Sequence, residues 1–161
     1  MKSLPMGIRK RGSAYVADVQ ALLARVLALP MPTVAAVTGH AFGAGAMLAT
    51  AHDWRVMRAD RGYYCFPEVD IRIPFTPGMA ALIQAKLTPA AAAPAMTTGR
   101  RYGGPEALAA GLVDLAVPDA EVLTNAIELV RRLAGKDPGT LGAIKATMYA
   151  AGDYAEQGTQ I

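Results

Sequence analysis

The sequence predicts an α/β layered domain, and three observations carry that prediction. Residues 33–38 form a charge-free, β-branched run, the pattern of a strand. A glycine-rich turn and an alanine-rich segment, residues 43–52, follow at once and read as a short helix. Residues 53–58 then return to the strand pattern, and strand–helix–strand alternation is the mark of helices packed on a mostly parallel sheet. At 161 residues, with 53% hydrophobic and 18% charged side chains, the chain is long and apolar enough to bury a core.

Taken in order, residues 1–12 show no periodicity and are expected to be a disordered basic arm. Between residues 13 and 29 the apolar positions Val16, Val19, Leu23, Val26 and Leu27 fall at helical spacing, with Asp18, Gln20 and Arg25 on the other face. Pro30 and Pro32 end that helix. Residues 33–38 are expected to be buried on both faces, as parallel strands are. After the strand at 53–58, RADRG makes a turn and residues 62–66 are aromatic and strand-like, ending in Pro67-Glu68-Val69-Asp70.

Helices dominate the rest. Pro77-Gly78 opens one over residues 79–87, residues 89–98 form another that Gly99 caps, and residues 106–110 form a third that Gly111 stops. Residues 112–117 return to strand, residues 120–133 are helical, and Asp137-Pro138 starts a last helix expected to reach residue 151. The tail beyond it is polar.

Charge and composition exclude several classes. Lys2, Arg9, Lys10 and Arg11 account for more than the whole net charge of +3. Without aromatic interleaving such an arm is no nucleic-acid module, so no nucleic-acid partner is expected. Residues 26–52 carry no Asp, Glu, Lys or Arg, yet Pro30, Pro32 and several glycines deny them the unbroken helix a membrane span requires. The single cysteine, Cys65, forbids an intrachain disulfide and a multi-cysteine metal site. It reads as a core thiol in a reducing compartment, which makes the expected location cytoplasmic.

Two stretches could carry chemistry. The turn Gly39-His40-Ala41-Phe42-Gly43-Ala44-Gly45 ends where a helix begins. A helix N-terminus presents unpaired N–H groups and partial positive charge, and small side chains let a substrate oxygen approach that backbone. An oxygen acquiring negative charge would bind there. The alternative is that these glycines only let a helix pack tightly on a sheet. A dinucleotide site is excluded, because Gly43-x-Gly45 lacks the third glycine and the acidic residue that motif needs. His40 and His52 do not make a zinc-binding pair, so no metal site is expected, and no serine sits in a nucleophile elbow.

Glu68 is the second candidate. Tyr64, Cys65, Phe66, Pro67, Val69, Ile71 and Ile73 around it are uncharged, and burial among them would raise its pKa toward that of a working general base. The alternatives are a solvated carboxylate at a strand end, or Asp70 as the acid, with Arg72 able to neutralise either.

The segments MPTVAAVTGHAFGAGAMLATAHDWRVM, FPEVDI and GRRYGGPEALAAGLVDLAVP resemble the crotonase (enoyl-CoA hydratase/isomerase) superfamily over residues 13–150, most nearly its monofunctional enoyl-CoA delta isomerases. The resemblance implies an incomplete crotonase-like ββα spiral: a partial core in residues 13–118, a C-terminal helical oligomerisation region in residues 119–161, and the N-terminal part of the fold missing. It also assigns roles. Ala44 matches the backbone donor to the thioester oxygen, with Gly43 and Gly45 shaping the turn. Glu68 matches the second glutamate of the family, while Met47 stands where hydratases carry their first. A thioether cannot ionise.

The implied reaction is therefore isomerisation of a 3-enoyl-CoA to a 2-enoyl-CoA through a dienolate, in fatty-acid oxidation, with Glu68 as base and acid. Met47 and Phe42 are expected to line the substrate site. The resemblance implies no cofactor beyond the CoA of the acyl-CoA thioester substrate, and a homotrimer or hexamer. A non-catalytic acyl-CoA-binding module and an enoyl-CoA hydratase are the alternatives.

Overall fold

The computed structural model describes residues 6–150, with side chains from residue 14 onward. Its first element, helix α1 (Met6–Leu27), begins earlier than the periodicity suggests. Arg and Lys are good helix formers and no proline interrupts residues 6–27, so a basic stretch that the sequence reads as disordered continues the helix instead. Residues 1–5 of that arm, and the tail beyond 150, lie outside the described residues.

Strands β1 (Val34–Val37), β3 (Trp54–Arg58) and β5 (Leu115–Val117) form a parallel sheet in the order β1-β3-β5. Val34 lies opposite Trp54, and Val56 opposite Leu115. Between β1 and β3 the chain makes a second, short strand, β2 (Ala41–Phe42), and then helix α2 (Ala44–Ala51). β2 pairs in parallel with β4 (Tyr64–Cys65) as a separate two-stranded sheet. The expected alternation of strand and helix is present, although the turn contains a strand of its own.

Helices then follow: α3 (Glu68–Ile71), α4 (Pro77–Lys86), α5 (Pro89–Thr98), α6 (Gly104–Ala109), α7 (Asp119–Arg131) and α8 (Pro138–Tyr149). Three of them start alike. Thr76, Thr88 and Asp137 each precede a proline, and each side chain accepts a backbone N–H three residues on. Such caps satisfy a donor that the first helical turn leaves unpaired, while proline there loses nothing.

The sheet separates two apolar regions. On one face α7 packs Val122 and Ala126 against Val56. The larger core joins Leu23 and Leu27 of α1 to Ala46, Met47, Phe66, Leu82 and Ile83. Two expectations are corrected here. β1 is an edge strand with Ala36 exposed, and the strand buried on both faces is the central β3, where Val56 and Met57 have no exposed surface. A charge-free sequence reports apolar surroundings, not position in the sheet. Gln20, expected on the polar face of α1, is buried at 2% exposure.

Candidate active site

The turn is shaped by one glycine above all. Gly43 has φ 51 and ψ −120, a conformation that side chains bearing a Cβ rarely adopt. Its N–H donates to the Cys65 carbonyl at 3.0 Å, tying β2 to β4, and its own carbonyl accepts the Met47 N–H at 2.9 Å, opening α2. Gly62, at φ 91, serves the same region from outside, since a Cβ there would collide with the Gly39 carbonyl. Ala44 and Gly45 are exposed at the head of α2, where no side chain caps the helix. Nothing lies within 4 Å of where a Gly45 Cβ would be, so the approach to these first N–H groups is open.

Helix α2 is held in place from below. The Tyr64 hydroxyl and Thr50 Oγ1 lie 2.6 Å apart, and each donates to the Ala46 carbonyl at 2.8 Å. Burial pushes the Tyr64 hydroxyl up to about 12, so it stays a neutral donor. At the other end His52 Nδ1 donates to the Leu48 carbonyl at 2.8 Å, a structural role. His40 is likewise occupied, its ring stacked 5.7 Å from that of Tyr63.

Glu68 does not end a strand, as the sequence suggests. β4 stops at Cys65, and Glu68 is the first residue of α3 after Pro67. The change turns the carboxylate inward: Glu68 is 7% exposed, and Oε1 would lie 3.5 Å from a Cβ built on Gly43. Turn and carboxylate thus face each other. Oε2 is buried with no hydrogen-bond partner. Burial pushes the Glu68 pKa up, opposed in part by its own backbone N–H.

The remaining acids and cations stand aside. Asp70 is exposed, with its carboxylate against Gly99 at the end of α5. Arg72 caps α3 in the left-handed region at φ 58, and among the described residues it makes no ion pair with Glu68 or Asp70. Cys65 is the core thiol expected, 1% exposed and donating to the Gly99 carbonyl at 3.2 Å, with burial pushing its pKa up. Among the described residues no group of three or more His, Cys, Asp or Glu is placed to hold a metal ion.

Beside Glu68 opens a cavity of about 640 Å³, lined also by Val69, Arg72, Ile73, Phe75 and Met96. That volume falls within the range of small-molecule sites. Val69 and Ile73 are half exposed at its mouth, at 50% and 57%. Sequence reasoning missed this wall, although apolar residues at 69, 71 and 73 directly after the glutamate signal it. It placed Met47 there instead. Met47 is 2% exposed within the main core, so it supports α2 from behind. Phe42 is partly exposed, its ring 5.3 Å from His40 and 5.7 Å from the Arg101 guanidinium carbon.

A glycine turn that opens a helix, with one buried carboxylate turned toward it, defines a site able to move a proton next to an oxygen gaining charge. The chain belongs to the enoyl-CoA hydratase/isomerase family, whose profile matches residues 6–161. It is 39% identical over 133 residues to enoyl-CoA delta isomerase 2, peroxisomal, of Arabidopsis thaliana, which covers 81% of this chain and 55% of that protein. It is 37% identical over 123 residues to carnitinyl-CoA dehydratase of Escherichia coli, covering 76% and 47% respectively. Among solved structures, an enoyl-CoA hydratase from Mycobacterium marinum superposes with a TM-score of 0.81 at 30% identity, over 92% of this chain and 65% of that one. The chain therefore spans about half the length of these two curated relatives. The fold is the α/β crotonase fold in part.

Among the described residues no helix is long and apolar enough to cross a membrane.

Proposed function

We propose that this chain carries the proton-shuttle chemistry of an enoyl-CoA delta isomerase, converting a 3-enoyl-CoA to a 2-enoyl-CoA. The observation that carries the reading is a single buried carboxylate, Glu68, aimed at the Gly43 turn with one oxygen unpaired. Ionised Glu68 takes a proton from the α-carbon of the thioester. The freed electron pair forms a double bond between the α-carbon and the carbonyl carbon and drives the carbonyl pair onto oxygen. Conjugated with the existing double bond this is a dienolate, whose oxygen sits on the Ala44 N–H, with Gly43 and Gly45 leaving room for it. Protonated Glu68 then returns the proton at the γ-carbon, and the double bond ends conjugated with the carbonyl. The same carboxylate serves as base and acid, and no metal or redox cofactor enters, because CoA is part of the substrate. The acyl chain lies along Val69, Ile73 and Phe75, and Phe42 borders the turn from the other side.

Position 47 favours this reading over hydration. A hydratase of this family holds water between two carboxylates, and where the first would stand this chain carries a methionine packed in the core, which cannot ionise. A non-catalytic acyl-CoA-binding module is the second reading, and the experiment below separates the two. Assembly as a homotrimer or hexamer and a role in fatty-acid oxidation belong to the same proposal. So does a reducing, cytoplasmic location, which the buried free thiol of Cys65 suits.

The deciding experiment gives the purified chain a 3-enoyl-CoA and follows the absorbance of the conjugated 2-enoyl thioester. Turnover that Glu68→Gln abolishes supports the isomerase. Turnover that survives Glu68→Gln removes Glu68 as the base, and CoA binding without turnover leaves the module.

A further inference from the structure

At the end of α2 away from Glu68 lies a second cavity, which the proposed chemistry does not use. Its volume is about 340 Å³, and α8, the C-terminal residues of α4 and the start of β3 enclose it. The separation from the turn is the length of α2, about 12 Å for eight residues. Trp54, Leu133, Leu141, Ile144 and Met148 line it.

Its polar groups are unbalanced in charge. Among the described residues three lysines, Lys86, Lys136 and Lys145, reach this cavity, against one carboxylate, Asp53. Lys145 is committed: its Nζ donates to Asp53 Oδ2 at 2.6 Å and to the Met31 carbonyl at 2.7 Å. Among the described residues Lys86 has no carboxylate within ion-pair distance. Its Nζ donates to the Tyr149 hydroxyl at 3.3 Å and lies 5.7 Å from the centre of that ring. An ammonium in apolar surroundings without a counter-ion is unfavourable. Burial, with Arg55 and Lys145 nearby, pushes Lys86 down to about 8, while Asp53 and Asp114 pull the other way. Lys136 stands exposed at the rim.

An apolar cavity at the small end of the ligand range, with an ammonium inside that no described carboxylate pairs and a second at the rim, is complementary to a short apolar chain that ends in an anion. We propose that this cavity binds a medium-chain alkyl carboxylate, its head on Lys86 and its chain along Leu133, Leu141, Ile144 and Met148. The carboxylate supplies the counter-charge that Asp53, bound to Lys145 and Thr33, does not. Lys136 closes over the head from solvent. This site is independent of the reaction proposed at Glu68, and either can fail without the other.

The molecule contains its own reporter, because Trp54 is the single tryptophan and lines the cavity. Titrating the full chain with 8-bromooctanoate should quench Trp54 fluorescence saturably, and octanoate should reverse the quenching. The uncharged 8-bromooctanol should bind about tenfold or more weakly, the loss expected on removing a charge-assisted contact. Lys86→Met, which keeps the apolar stem, should weaken the carboxylate by a similar factor and leave the alcohol unchanged. Ile144→Glu, at a half-exposed position on the lip, should weaken it by repulsion without disturbing the core. Affinity should hold between about pH 6 and 7.5 and fall about tenfold by pH 9, as Lys86 loses its proton. Absence of saturable quenching overturns the proposal, and so does equal binding of acid and alcohol or indifference to both variants.

Discussion

Two carboxylates flank helix α2, and the molecule treats them in opposite ways. Asp53, just beyond the C-terminal end, is anchored through one oxygen. Its Oδ2 accepts the Thr33 N–H at 2.8 Å, the Thr33 hydroxyl at 3.1 Å and the Lys145 ammonium at 2.6 Å. Glu68, facing the N-terminal end, is buried with Oε2 unpaired, and its pKa is raised. A carboxylate paired with a buried ammonium holds a fold together; a buried one left unpaired is poised to take up a proton. The difference separates an anchor from a candidate base within one layer of the structure.

The largest effect should come from removing the base. Glu68→Gln should lower turnover of a 3-enoyl-CoA by about 10²–10⁴-fold, the usual worth of a positioned general base, in a steady-state assay. Next is the anchor. Asp53→Ala strands the Lys145 ammonium, 5% exposed, and should destabilise the fold by about 3–5 kcal/mol in urea denaturation. If Asp53→Ala is harmless to stability, the two carboxylates do not differ as described.

Gly43→Ala tests the turn between them. A Cβ at φ 51 is strained by about 1–2 kcal/mol and would stand against Glu68, so both stability and turnover should fall. A variant that loses stability but keeps full turnover would show that the turn only packs.

The pH dependence sharpens the contrast further. Because the folded state raises the Glu68 pKa, the native protein binds that proton more tightly than the unfolded chain does. Its contribution is most favourable below the unfolded value, about 4.3, and is lost as pH rises through the raised native value. Glu68→Gln should therefore be the more stable protein at neutral pH, by about 1 kcal/mol, with the advantage vanishing in acid. Urea midpoints at pH 4.5 and pH 7.5 measure it. The acid limb of the turnover profile should lie above an ordinary glutamate for the same reason. The smallest effect is at Arg72, the one non-glycine described at positive φ; Arg72→Gly should stabilise by up to about 1 kcal/mol.

Much of this was legible in the residues. The β1–α2–β3 order, the helix start at Asp137-Pro138, and the glycine turn follow from local rules that a short window contains. The failures share one cause. Ala36 lies exposed on an edge strand, Gln20 is buried, and Met47 sits in the core instead of lining a substrate site, because burial depends on which distant element arrives, and no window records that.

The sequence by itself determined the family, the turn at Gly43-Ala44-Gly45, and the presence of one glutamate among apolar neighbours with methionine at position 47. Those are matters of residue type and spacing. Only the tertiary structure decided that Glu68 begins a helix, turns inward and faces that turn with an oxygen to spare. It alone distinguished Glu68 from Asp53, since pairing is a property of what surrounds a carboxylate, and the partners Lys145 and Thr33 reach Asp53 from opposite ends of the chain.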